Sequence, residues 1–434
     1  MNAIVQAMRS RSAIALLDQG VVSAGGFVVI VVLGRWADPA QLGVYSLAAS
    51  ILWLFIGANE ALITRPYAIQ INKPTGSREN HALVSLALNI GLGLTAACAL
   101  MVAALAFFLL GSSADLSLLA IALAFSAPFV LIREFARRHA MANLKVHRAF
   151  LLDLIVVGSS LAVLASVVAF DVLSAATAII VLGASCAIGA AWWLAAERSR
   201  LGFALLHVRA TMERSWRLGR WFLSGTIAVQ MQGYAVHWLS FAFLGAATTG
   251  VYAACLSIVA FSNPIVFGFI NIMTPQSVEA LHEGGTAGLR RQALRATLTI
   301  GAAVGAFCVF IGLFGNLLMG LLYPAPEYQG VGGILLVLAL SVFAGALGVP
   351  AGVALASLER ARALAAITIA TAGLTISFVW MGVVLDGLFG AALGLLAGET
   401  IGSMARWIAF LFASRSAERS EGMMLAPQPR LPES

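Results

Sequence analysis

Apolar residues do not alternate or recur at a helical interval in this chain; they run on. Stretches of about 20 residues or more, nearly free of charge, follow one another from the N-terminal region to about residue 412. That length matches a helix crossing a hydrocarbon layer of roughly 30 Å. The pattern predicts spans at 14–34, 42–63, 82–110, 116–132, 149–170, 175–196, 221–244, 250–272, 295–322, 331–356, 363–385 and 388–412. The first stretch follows Arg9 and Arg11 and runs to about Leu33, too long for a signal-peptide core, so it reads as a span. A fully apolar run in lipid must satisfy its backbone internally, which selects helices.

Polar positions test the count. Of the 26 Lys and Arg, all but Arg35 fall into alternate segments between spans or at the span ends beside them. The positive-inside rule then puts these segments, and both termini, in the cytoplasm of a multi-pass inner-membrane protein. A missed span would scramble the alternation. The expected outside loops are short, such as 37–41, 111–115 and 323–330, and the longest inside segment is the Arg-rich 197–220.

The two halves echo each other. Gly43-Val44-Tyr45 returns as Gly250-Val251-Tyr252, and Pro66 as Pro275. The stretch 142–149 returns as 356–363, and Trp193 as Trp407. The offsets are 207, 209, 214 and 214 residues. Six spans per half give both halves the same orientation, hence a parallel repeat. We expect lobes at 1–208, including a basic linker, and 209–415, with a disordered polar cytoplasmic tail at 416–434.

Composition agrees. The chain is 61% hydrophobic and 10% charged, with a mean hydropathy of +0.95, against about 25% charged in soluble domains. The 42 glycines suit close helix packing in lipid. The net charge of +7 is spent on topology, not on a basic face for nucleic acid. Cys98, Cys186, Cys255 and Cys308 all lie in apolar runs without CxxC spacing, so neither metal nor disulfide framework is indicated. No Walker A, G-x-S-x-G or H-E-x-x-H pattern occurs. The reading is therefore a transporter, not an enzyme, and without cofactor; its work would be downhill or driven by an ion gradient or a partner.

Polar residues inside spans mark a path. Thr226, Gln230, Tyr234 and His237 stack on one face of the seventh span, with Gln232 and Ser240 nearby. Gln19, Ser23 and Gly26 do the same in the first span, beside Asp18. Such stripes should face a water-filled cavity or hydrogen-bond neighbouring helices. Asp18 and Glu399 are candidate proton or ion-coupling groups, each open to the plainer role of a local ion pair, and His237 titrates in the physiological range. Glu60 and Asp153 lie near cytoplasmic span ends. Arg65, Arg133, Arg220 and Arg406 sit where spans meet the cytoplasm and are candidate phosphate contacts, or contacts to lipid headgroups. Arg35 is the corresponding candidate at the outer face. Trp192, Trp193, Trp216 and Trp221 read as interfacial anchors.

The segment 34–45, Gly-Arg-Trp-Ala-Asp-Pro-Ala-Gln-Leu-Gly-Val-Tyr, resembles the turn after the first helix in polysaccharide and O-antigen flippases of the multidrug/oligosaccharidyl-lipid/polysaccharide (MOP) exporter superfamily. Its echo, 244–252, is similar to their seventh-to-eighth helix turn, and the resemblance spans roughly residues 10–415. It implies an all-α membrane protein of about 12 helices, in two parallel six-helix repeats forming a V-shaped, MATE-like transporter, with helices one and seven lining the cavity. It implies a substrate on polyprenyl phosphate or diphosphate, a lipid-linked oligosaccharide or polysaccharide precursor flipped from the cytoplasmic to the periplasmic leaflet by alternating access. Membrane lipids and a glycan polymerase or other assembly proteins are the implied partners, and no nucleic acid.

The sequence departs from the family in having no Arg or Lys at mid-span. Either the spans lie a turn away, or polar residues and the cytoplasmic arginines meet the head group. A drug extruder of the same fold, coupled to Na⁺ or H⁺ through Asp18 and Glu399, is the alternative. A major-facilitator carrier would show a G-x-x-x-D-R-like motif in 64–81, and a glycan polymerase or ligase a large outer loop; neither is found.

Topology is directly testable. Reporter fusions after Gly111 and Pro324 should signal outside, and those after Asn143 and Arg209 inside. An inside signal at Gly111 would end the twelve-span arrangement.

Overall fold

A computed structural model describes residues 2–71, 78–110, 114–198 and 208–425. Among these residues the chain is helical, without a strand. The helices are α1 (Asn2–Trp36), α2 (Pro39–Asn59), α3 (Arg65–Gln70), α4 (Arg78–Leu109), α5 (Ala114–Ala142), α6 (Val146–Ala169), α7 (Ala175–Glu197), α8 (Val208–Leu244), α9 (Ala246–Val259), α10 (Asn263–Leu322), α11 (Gly332–Ser357) and α12 (Ala361–Leu425).

Nine described stretches are long and apolar enough to cross a bilayer, making this a multi-pass membrane protein. Two are far too long for one crossing: Ala246–Leu322 has 77 residues and Arg362–Ser416 has 55. Each is broken inside. The first breaks at Gly285 (φ 56°, ψ −154°), and the second at Asp386 and Gly387 (φ 56°, ψ −134°). Only glycine takes such a conformation without penalty. The second break falls between the expected spans 363–385 and 388–412. Beyond it the chain returns along itself, so closely that Gly382 and Gly390 each leave no room for a Cβ against the other's carbonyl. The seventh expected span is the second half of α8; its polar face keeps it out of the nine. The helices thus supply the twelve expected segments.

The described residues form two compact units. One comprises 1–254 with 322–327, the other 255–321 with 328–434. This division differs from the sequence repeat at 208, because α8 packs along α2. In the first unit α5 contacts α2, α4, α6 and α7. Its core is mostly small side chains: Ala48, Ala96, Ala122, Ala127, Ala175 and Ala176 surround Leu123 and Ile179. Small residues let helix backbones approach where lipid gives no hydrophobic drive. In the second unit α11 packs on α12, around Leu289, Ala351, Ala354, Leu355 and Phe410. Helix α12 stays helical to Leu425, past the expected start of a disordered tail; helix formers such as Ala417, Glu418 and Met423 allow it. The rest of the tail lies outside the described residues.

The repeat is visible in the turns. Asp38 caps α2 by accepting from the Ala40 amide at 2.7 Å, with Pro39 in the first turn. Helix α9 begins 207 residues later, after Gly245 in a left-handed conformation (φ 87°). Helices α5 and α11 end alike: Leu144 (φ 58°) and Glu359 (φ 57°) are left-handed caps. After each, the next amide (Lys145, Arg360) bonds five residues back, to Ala140 and Leu355. Structural equivalence here is 215 residues, one more than the side-chain echo suggests.

The two Gly-Val-Tyr turns meet each other. A Cβ on Gly43 would overlap the Ala246 carbonyl, and one on Gly250 the Pro39 carbonyl. The contact is reciprocal, so a local two-fold axis passes between the two glycines. Backbone on backbone cannot yield as a side-chain tip would. Gly43→Ala should therefore cost at least the roughly 1–3 kcal/mol of ordinary overpacking. Gly26→Ala, where a Cβ meets nothing within 4 Å, should be neutral. Thermal unfolding of the purified variants checks this; equal melting of the two would remove the glycine argument.

Candidate functional site

The most polar region of the first unit's interior is an ion network. Asp18 on α1 and Asp153 on α6 are both fully buried. Arg137 on α5 lies between them. Its Nε donates to Asp153 Oδ2 at 2.6 Å, and an Nη donates to Asp18 Oδ2 at 2.7 Å. One turn earlier on the same face, Arg133 pairs with Asp153 and Glu134. Helix α5 continues past the expected span end at 132, which brings these arginines inside. Two guanidiniums thus face three carboxylates, binding α1, α5 and α6 together. Asp18 Oδ1 is buried with no hydrogen-bond partner among the described residues.

A second polar layer follows along α5. Tyr67 and His139 share a hydrogen bond of 2.8 Å, enclosed by Phe135 and Trp193. Glu197, buried at the end of α7, takes Lys145 at 3.0 Å and also Arg148. Near α2, Glu60 accepts from Arg65 and pairs with Arg138.

The structure divides the polar stripes. On α1, Gln19 and Ser23 are exposed and hydrogen-bonded to each other at 3.4 Å. On α8 most of the stripe turns to protein. Thr226 and Gln230 pack on Gly57, and Gln230 donates to the Trp53 carbonyl at 2.9 Å. His237, 4% exposed, stands edge-on to Tyr252 at 4.7 Å and also contacts the half-buried Tyr234. Trp238, absent from the sequence stripe, donates to Ser50 on α2 at 2.8 Å. These bonds fasten α8 to α2.

The remaining candidates scatter. Arg35 is exposed, with its guanidinium over Trp36 at 5.5 Å. Arg220 is exposed on α8. Arg133 is sealed in the network at 11% exposure. In the second unit Arg406 donates to the Gly402 carbonyl at 3.1 Å and sits 3.8 Å from Glu399. Beside it, α10, α11 and α12 form an open groove of about 600 Å³ lined by Leu340, Phe343, Leu347, Leu396, Met404 and Trp407 among others. The lining hydroxyls of Thr297, Thr400 and Ser403 donate to backbone carbonyls, which leaves the groove apolar.

The sequence marks Asp18, Arg133 and Asp153 singly and does not pair them. Arg137 and Arg138 read there only as topology signals, although Arg133 and Arg137 at i, i+4 share a face with acidic Asp18 and Asp153 in neighbouring spans.

No family model matches this sequence, and no curated protein does. Similar solved structures exist. An inward-facing multidrug-resistance MATE family transporter of the MOP superfamily matches with a TM-score of 0.68 at 18% identity, covering 94% of this chain and 95% of its own. An outward-facing structure of such a transporter gives 0.61 at 17%, covering 94% of each. The chain's fold is that of the MATE transporters. A MOP superfamily transporter from Pyrococcus furiosus, whose binding pocket is described as reversed in polarity, gives 0.60 at 16%, covering 93% of this chain and 94% of its own.

Removing one partner of a buried ion pair strands the other charge, at about 3–5 kcal/mol. Arg137→Leu strands Asp18 and leaves Asp153 with Arg133 alone, whereas Asp18→Asn leaves Arg137 its bond to Asp153. Arg137→Leu should therefore lower thermal stability far more than Asp18→Asn. Equal losses in a melting assay would show that Arg137 does not hold both acids.

Proposed function

We propose that this chain is an exporter that flips a lipid-linked oligosaccharide or polysaccharide precursor from the cytoplasmic to the periplasmic leaflet by alternating access. The fold supports transport. The charge arrangement carries the choice of substrate. Both intramembrane carboxylates that would attract an organic cation, Asp18 and Glu399, already face an arginine. Arg65, Arg138 and Arg220, at span ends expected in the cytoplasm, are exposed. Such a surface suits an anionic head group such as a polyprenyl phosphate or diphosphate. The turn around Arg35 resembles that of polysaccharide flippases and places this cation at the expected outer mouth. On this reading the exposed Gln19 and Ser23 and the half-buried Tyr234 would line the path; Thr226 and Gln230 would join if α8 parted from α2, and His237 if α8 parted from α9. A proton on the Asp18 network would couple transport to the ion gradient. Membrane lipids and a glycan-assembly protein are the partners this reading implies.

The second reading is a drug extruder, favoured by the multidrug transporters among the similar structures. Mass spectrometry of lipid extracts separates the two. A deletion strain should accumulate lipid-linked glycan, relieved by the wild-type chain and by Arg35→Lys but not by Arg35→Glu, which sets like charge against an emerging phosphate. Normal surface glycan with new sensitivity to cationic drugs would sink the flippase reading. Full complementation by an abundant Arg35→Glu protein would sink the outer role of Arg35 alone.

A further inference from the structure

Helix α2 does not end at Asn59; it widens. Pro66 has no amide to give the Leu62 carbonyl, so the regular ladder loses a bond at this point. The chain takes a π turn over Glu60–Thr64 instead, and the Arg65 amide bonds to the Glu60 carbonyl five residues back. On an α-helix, residues five apart diverge by about 140°. The wider turn stacks them, and Arg65 Nε reaches Glu60 Oε1 at 3.1 Å.

Arg138, from α5, reaches the same oxygen at 3.3 Å. The Arg65 guanidinium also lies over the Phe222 ring of α8, at 5.6 Å. The π turn, α5 and α8 thus converge on two guanidiniums that share one carboxylate oxygen, with one positive charge in excess. The side chains of Arg65 and Arg138 are 47% and 43% exposed, and that of Glu60 27%. The other clusters differ. Arg133 and Arg137 are 11% and 15% exposed and outnumbered by acids. Lys145 and Arg148 hold a Glu197 that is 2% exposed and cannot be displaced without opening the core. A guanidinium has five N–H donors, and Glu60 engages only a minority of the ten on this pair. The free donors match the bidentate geometry of phosphate oxygens.

We propose that Arg65 and Arg138 form a phosphate-binding site in which Glu60 is the resident anion of the unloaded protein. An arriving phosphate or diphosphate group bridges the two guanidiniums and displaces Glu60. When the group leaves, the carboxylate returns and again offsets part of the charge of the two guanidiniums, so unloading is eased. The occupant is the head group of the lipid-linked substrate or that of an anionic bilayer lipid; only the first source rests on the flippase reading.

The test uses the full chain in phosphatidylcholine nanodiscs, with inorganic pyrophosphate as probe, followed by calorimetry. Arg65→Gln and Arg138→Gln should each weaken binding about tenfold or more, the loss of a charge-assisted contact. Glu60→Gln should tighten it, an effect that misfolding cannot mimic. Arginine variants that bind like the wild type, or Glu60→Gln weakening binding as they do, would overturn the site. Repeating the titration in phosphatidylglycerol nanodiscs identifies the occupant. Loss of the arginine-dependent binding there means lipid head groups fill the site, and its persistence means the substrate's phosphate does; both support a phosphate site. If the site passes while a deletion strain exports glycan normally, the site stands and the flippase reading falls. If the site fails while lipid-linked glycan accumulates, the reverse holds.

Discussion

Two carboxylates remain buried beside each other in the first unit because one guanidinium lies between them. Asp18 and Asp153 are sealed from solvent, and Arg137 reaches both at ordinary hydrogen-bond distances. In lipid neither acid could be ionised alone. The bridge also fixes the relative height of α1, α5 and α6, since a fork with a planar geometry tolerates little sliding. Polar side chains nearby obey the same constraint. Gln230 finds the Trp53 carbonyl, Trp238 finds Ser50, and Tyr67 finds His139. Each bond satisfies a group that lipid would not, and each ties two helices together.

The second organising element is the absence of side chains. Gly43 and Gly250 bring the two equivalent turns into backbone contact, and Gly382 with Gly390 folds α12 back upon itself. Cores rich in alanine continue the theme. Between elements packed this closely, a polar group has few alternative partners, so ion pairs and glycine contacts reinforce each other. The exposed exception is the π turn at Glu60, where arginine outnumbers carboxylate and the excess charge faces outward.

Charge placement also bears on what such a chain can carry. A carboxylate already opposed by arginine offers little to a cation, because its field is cancelled at short range. Two guanidiniums sharing one carboxylate, as Arg65 and Arg138 share Glu60, keep part of theirs. The same fold can therefore serve substrates of opposite charge according to where acidic and basic side chains fail to balance, and function follows from those residues rather than from the helices that bear them.

Much of the architecture was legible in the residues. Twelve apolar runs, a one-sided arginine distribution and the Gly-Val-Tyr echo follow from lipid as solvent, a strong constraint that acts on each segment independently. The break at Asp386 and Gly387 fell between two expected spans for that reason. The site was less legible. Asp18 stood out as an intramembrane acid, but its partner Arg137 is 119 residues away, and pairing across such a distance is decided by which helices pack, not by local spacing. The α8 stripe allowed an aqueous face or bonds to neighbouring helices; tertiary packing sets Gln230 on α2 and His237 on α9, because a hydrogen bond or ring contact satisfies a polar group as well as water does. Pro66 was visible as a repeat marker, yet only the folded chain shows the π turn before it that stacks Arg65 on Glu60. Sequence determined which segments are apolar enough to cross a bilayer as helix, since backbone satisfaction in lipid is a local demand. Which charges meet was decided by the tertiary structure, since Coulomb attraction depends on distances that only packing sets.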